Sequence, residues 1–203
     1  MIRTLVRAAH VISMIFTPFC LPVVGMLVLF IFSYLSLLPW GYKGMVLAIV
    51  CIFTMLMPVV LITIYSKLQG KNKLDLSYKD HRMVPYVLSI MSYMCCVYVM
   101  RAINTPLFMS NIIIVALIIQ VICAIINVWW KISAHMAAIG GFSGALLVFA
   151  IIFNFNPLWW FSLLILLSGI LGTSRMILRQ HTLAQVVGGF VTGFLCSMIM
   201  IFI

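Results

Sequence analysis

The chain is predicted to be an all-α, polytopic transmembrane helical bundle of about six to seven spans, folded as a single integral membrane domain over residues 1–203. Three observations predict this. Hydrophobic residues make up 66% of the chain and charged residues 7%, a composition no soluble globular domain carries. Apolar runs recur at the length of about 20 residues that a membrane-crossing helix needs. Polar residues are gathered into short clusters between those runs.

On that ruler the spans fall near 11–38, 44–65, 84–100, 109–130, 136–153, 157–173 and 183–203. The first is long enough to be tilted, or broken near Pro18 and Pro22, because proline removes a backbone donor. Arg3 and Arg7 precede it, but the apolar stretch far exceeds a cleavable signal core and no small-residue cleavage site closes it. We therefore expect an uncleaved anchor. The six cysteines, at 20, 51, 95, 96, 123 and 196, all fall inside apolar runs without ligand or framework spacing, as packing thiols do. Trp40, Trp129, Trp130, Trp159 and Trp160 lie at span ends, where an aromatic belt accounts for them.

Between the second and third spans runs one polar stretch, Ser66 to Arg82, holding both acids of the chain, Asp75 and Asp80, and five of its twelve Lys and Arg. Counting crossings from the side that carries this stretch brings Lys131, Ser133 and His135, then Ser174, Arg175 and His181, back to the same side. Three polar clusters distant in sequence are thus expected to converge on one membrane face. Ten of the twelve basic residues fall on that face and only Lys43 and Arg101 on the other, which by the positive-inside rule makes it cytoplasmic.

Cations and imidazoles gathered where hydrocarbon meets water suit a phosphate carried by a lipid. With two aspartates in one loop and no glutamate, a dedicated two-metal site is not expected, and no cofactor is required. Charge neutralisation falls to arginine, whose planar fork grips phosphate oxygens in pairs, and to lysine as a point charge. Histidine is then the candidate nucleophile and proton donor: a neutral imidazole attacks phosphorus while a protonated one supplies the departing alkoxide.

Ser133-Ala134-His135, and Ser174-Arg175 with His181 six residues after the arginine, resemble the second and third motifs of the type 2 phosphatidic acid phosphatases. That family's motifs read roughly K-x6-R-P, P-S-G-H and S-R-x5-H-x3-D, on a helical core shared with vanadium haloperoxidases; the likeness covers about residues 73 to 190. The resemblance implies His181 as nucleophile, His135 as general acid, and Ser133, Ser174 and Arg175 as phosphate holders. Ile132 and Ala134 replace the second motif's proline and glycine. For the first motif Arg82 is available, but its proline comes three residues after it, as Pro85, and Asp75 stands where the lysine belongs; Lys79 and Lys73 are the nearest substitutes, and Lys79 is preferred. Gln185 replaces the aspartate that orients the nucleophile. One helical turn after His181, its amide can fix the imidazole tautomer without stabilising a cationic ring as a carboxylate would.

Each of these residues has a structural alternative. Ser133 alone is a helix N-cap, a role compatible with presenting amides to an anion. Lys131 and Arg179 read as interfacial anchors. Gly140, Gly141 and Gly144, with Gly188, Gly189 and Gly193, have the spacing that lets membrane helices approach closely, which would draw His135 and His181 together. The expectation is an integral-membrane phosphatase of a lipid mono- or diphosphate in a prokaryotic inner membrane, with lipids and not nucleic acid as partners. The alternative is an anionic-lipid binder of the same fold that has lost efficient turnover.

Overall fold

Prolines and left-handed residues set where the helices begin and end. The computed structural model describes residues 2–32, 34–68 and 83–202, and among these residues there is helix and connection but no strand. Helices α1 (Ile2–Ile15) and α2 (Leu21–Phe32) are separated by an irregular stretch at 16–20 that contains Pro18. The first apolar run is therefore broken where expected; Pro22 sits in the first turn of α2, where no backbone donor is needed.

A 3₁₀ turn (Tyr34–Leu37) precedes α3 (Trp40–Cys51), which continues through a π-helical turn (Ile52–Leu56) into α4 (Met57–Leu68). The π turn has a local cause. The Met57 N–H donates to the Ile52 carbonyl, so the next donor in that register would be residue 58, which is proline. The Phe53 carbonyl thereby loses its helical partner, and the Ser92 hydroxyl donates to it instead. Then follow α5 (Met83–Ala102), α6 (Leu107–Trp129), α7 (Ala134–Ile152), α8 (Leu158–Ile177) and α9 (Leu183–Phe202).

Among the described residues five helical segments are long and apolar enough to cross a membrane: Trp40–Leu68, Met83–Ala102, Leu107–Trp129, Ala134–Ile152 and Leu158–Ile177. The apolar stretches Leu21–Ile31 and Leu183–Ile199 are shorter. The protein is thus an all-helical, multi-pass membrane protein. Its helices also run a turn past the sequence-predicted spans at several ends, so that His135 lies in the first turn of α7 and Ser174 and Arg175 in the last turn of α8. A ruler of apolar residues trims these polar turns away.

The chain divides into two compact units, Met1–Leu21 with Trp129–Ile203, and Pro22–Val128. The second, built on α2 to α6, buries Lys43 in the first turn of α3, where Nζ donates to the Ser36 carbonyl at 2.6 Å and lies 4.5 Å from the Trp40 ring centroid. The first unit contains α1, α7, α8 and α9 and every described residue of the candidate site. Met136, Ile139, Leu171 and Val186 form its core, with Ile12, Phe16, Leu167, Met176 and Phe190 packed against them.

Glycine lets α7 and α9 meet backbone to backbone. A Cβ on Gly193 would drive into the Ala137 carbonyl, one on Gly140 into the Phe190 carbonyl, and one on Gly144 would lie 2.5 Å from the Phe194 carbonyl oxygen. This is the close approach that the glycine spacing predicts.

Candidate functional site

The polar cluster sits at the end of the first unit where α7 and α9 begin and α8 ends. A Cβ on Gly189 would lie 2.6 Å from the Ser133 carbonyl oxygen, so the α7 entry and the first turns of α9 are in direct contact. Gly172 of α8 faces Val186 and Met136, drawing the third helix to the same end.

His181 is held between two local motifs. On its N-terminal side α8 closes in a Schellman arrangement: the Arg179 N–H donates to the Met176 carbonyl at 2.9 Å and the Gln180 N–H to the Arg175 carbonyl at 3.2 Å, with Arg179 at φ 53°. On its C-terminal side α9 opens with a capping box. Thr182 is the N-cap, its carbonyl taking the Val186 N–H at 3.0 Å; the Gln185 N–H approaches the Thr182 hydroxyl at 3.5 Å, and Gln185 Oε1 accepts the Thr182 N–H at 3.2 Å.

That cap also decides the tautomer of His181. The atom of Gln185 facing the Thr182 N–H must be its oxygen, and the same Oε1 lies 3.2 Å from His181 Nδ1. An acceptor there requires Nδ1 to carry the proton, which leaves a bare lone pair on Nε2. Burial, and then the charges of Arg175 and Lys131, push the imidazole's pKa down to about 4 against the opposing pull of the Gln185 bond. At neutral pH His181 is uncharged, with Nε2 free to act as a base or nucleophile.

Arg175 projects from the last turn of α8. Its Nη1 donates to Ser13 Oγ at 2.6 Å, while Nε is buried with no hydrogen-bond partner. Ser133 is the N-cap of α7 and 0% exposed, yet its hydroxyl makes no capping bond and has no other partner. Two buried polar atoms of the cluster, one of them in the guanidinium itself, thus have no hydrogen-bond partner, which an incoming anion or water could supply. Ser174 is buried as well, but its hydroxyl donates to the Ile170 carbonyl at 2.8 Å, so its proton is committed along its own helix. His135, in the first turn of α7, lies within electrostatic reach of Arg175 and His181, and its ring N–H donates to the Ser13 backbone carbonyl.

Of the residues singled out from the sequence, His135, Ser133, Arg175, His181, Gln185 and the nearby Lys131 come together; Ser174 is adjacent with its donor spent. Lys79 and Arg82, with the rest of 69–82, lie outside the described residues. Two participants escaped the sequence reading. Thr182 was legible, because Thr-Leu-Ala-Gln at 182–185 is a capping-box pattern. Ser13 was not: one serine within an apolar run carries no signal until α1 is seen against α8.

Among the described residues no group of three or more His, Cys, Asp or Glu is arranged to hold a metal. The segments of the first unit, 1–21 and 129–203, contain Arg3, Arg7, Lys131, Arg175 and Arg179 and no acidic side chain. A partly buried cation with no carboxylate available in its own unit favours an anionic ligand. The chain matches no known family profile, no curated protein and no solved structure, so its likeness to phosphatases rests on the motif residues alone.

Proposed function

We propose that the protein is a membrane lipid phosphate phosphatase that hydrolyses a lipid phosphomonoester or diphosphate through a phosphohistidine intermediate without a metal ion. One observation carries this reading: a neutral His181 with Nε2 free stands in the same cluster as Arg175 Nε and Ser133 Oγ, two buried polar atoms without partners. Phosphate oxygens would take both, with Arg175 supplying the counter-charge and the first turn of α7 its amides.

The chemistry follows from those placements. The His181 Nε2 lone pair forms a bond to phosphorus as the P–O bond to the leaving group breaks, and His135, which would take up a proton as the substrate's anionic phosphate enters beside it, delivers that proton to the departing alkoxide or lipid phosphate. Water then attacks the phosphohistidine, His135 accepts the water's proton, and the P–N bond breaks to release inorganic phosphate and restore Nε2. Gln185 holds the Nδ1 proton throughout. The family resemblance would add Lys79 and Arg82 as further phosphate-binding cations. This reading also carries a core like that of the type 2 phosphatidic acid phosphatases, in which the broken first run and α9 add to the five long spans, with the site on the cytoplasmic face of a prokaryotic inner membrane. Phosphatidate, phosphatidylglycerophosphate and polyprenyl diphosphates carry headgroups suited to this depth.

A second reading, a non-catalytic anionic-lipid binder of the same fold, draws on one feature. Gln185 is neutral, and its oxygen is already shared with the Thr182 amide, so it gives a cationic intermediate no charge of its own. The experiment that separates the two is phosphate release from a panel of lipid phosphates by purified protein in detergent, with chelator present and beside His181→Ala. Release that vanishes in the variant, with acid-labile phosphate trapped on the wild type, supports the phosphatase; lipid binding by both proteins with no release supports the binder.

A further inference from the structure

Ser13 sits in the last turns of α1, between Ile12 and Phe16, two residues packed on the core beneath the site. It is 6% exposed. Its hydroxyl takes the Nη1 donor of Arg175 at 2.6 Å, and its backbone carbonyl accepts the ring N–H of His135. One residue of α1 therefore touches two groups of the cluster that come from different helices. An arginine at the end of a helix has many rotamers, and side-chain entropy opposes any single one. With Nη1 tied to Ser13, the guanidinium plane is restrained, and Nε on its other edge stays buried without a hydrogen-bond partner.

We infer that Ser13 is a positioning residue for the anion site, setting the Arg175 fork to receive a tetrahedral oxyanion. The inference rests on the anion-binding half of the proposed function and does not require turnover. The break at 16–20 ends α1 at Ile15, and α1 packs with α8 in the same unit.

The test is calorimetric titration of inorganic orthovanadate into detergent-purified wild type, Ser13→Ala and Ser13→Thr, with thermal unfolding of each. Alanine is the better helix former, so the fold should hold. If it does not, Ser13→Cys, of similar volume but a weak acceptor, carries the same test. Ser13→Ala should bind vanadate about ten-fold more weakly, the weight of one hydrogen bond to a charged group, and Ser13→Thr should restore most of the affinity. Equal binding by wild type and Ser13→Ala overturns the inference, as does a loss that threonine fails to rescue or a wild type that binds no vanadate. Vanadate binding with the expected loss and rescue, but no phosphate release from any lipid, leaves Ser13 in this role and removes the phosphatase reading.

Discussion

Replacing Gln185 by glutamate separates its two duties. The capping box accepts either residue at this position, so Gln185→Glu should keep the bond from the Thr182 N–H and gain a few tenths to about 1 kcal/mol from a negative charge at the α9 N-terminus. Toward His181 the change is larger. Gln185 Oε1 lies 3.2 Å from Nδ1, and unit charges about 4 Å apart interact by roughly 4 kcal/mol at an effective dielectric near 20. Halving that for solvent access leaves about 2 kcal/mol, which raises the pKa of His181 by one to two units from about 4. In the proposed mechanism the ring becomes cationic as Nε2 bonds phosphorus, so the same 2 kcal/mol is expected to raise kcat by roughly 30-fold. Gln185→Ala removes both duties, lowering stability by about 1 kcal/mol and freeing the tautomer. The assay is kcat and kcat/KM against pH for the three proteins. Unchanged kcat and acid limb in Gln185→Glu would refute the coupling, and a fully active Gln185→Ala would reduce Gln185 to a cap.

Further outcomes follow from the same geometry. If neutral His181 is the nucleophile, as proposed, its folded pKa lowered to about 4 means that kcat/KM should hold as pH drops through 6.5 and fall only near 4; an acid limb at 6.5 or above would contradict this. Gly193→Ala, whose methyl would enter the Ala137 carbonyl, should cost 1–3 kcal/mol or more in detergent unfolding. Gly188→Ala, which meets only the movable Trp130 ring, should cost clearly less. Arg179→Gly should stabilise by about 1 kcal/mol by relieving a left-handed arginine, with activity unchanged. Chelators should leave phosphate release intact, since in the proposed site cations and not carboxylates would hold the substrate; loss of activity on chelation would overturn the metal-free cradle.

Much of this arrangement was legible in the sequence because membrane helices leave few places for polar groups. The five long spans followed from length and hydropathy, the break near Pro18 from a missing donor, and the α7–α9 contact from glycine spacing. What was not legible has a physical pattern too. The π turn at 52–56 arises from a register conflict at Pro58 that depends on Ser92 arriving from another helix. Lys43, expected as a loop charge outside the spans, is instead buried in α3 by a carbonyl and a tryptophan ring. Ser13 and Ser174 show that a hydroxyl's role is set by which carbonyl or cation it reaches, and no spacing rule contains that.

The charge balance of the first unit bears on function independently of the motifs. Its two segments hold five Lys and Arg and no acidic side chain. Arg175 is partly buried at the end of a spanning helix with its Nη1 satisfied only by a neutral hydroxyl. A guanidinium so placed loses hydration without gaining a counter-charge, and that cost persists only where something offsets it. An anion entering the cluster would supply the missing charge and satisfy Nε and the Ser133 hydroxyl together. Anion binding should therefore stabilise the protein in proportion to the logarithm of anion concentration above Kd. Vanadate or phosphate should raise the unfolding temperature of the wild type and leave that of Arg175→Ala unmoved. Equal stabilisation of both proteins would place the anion elsewhere and remove Arg175 from the site.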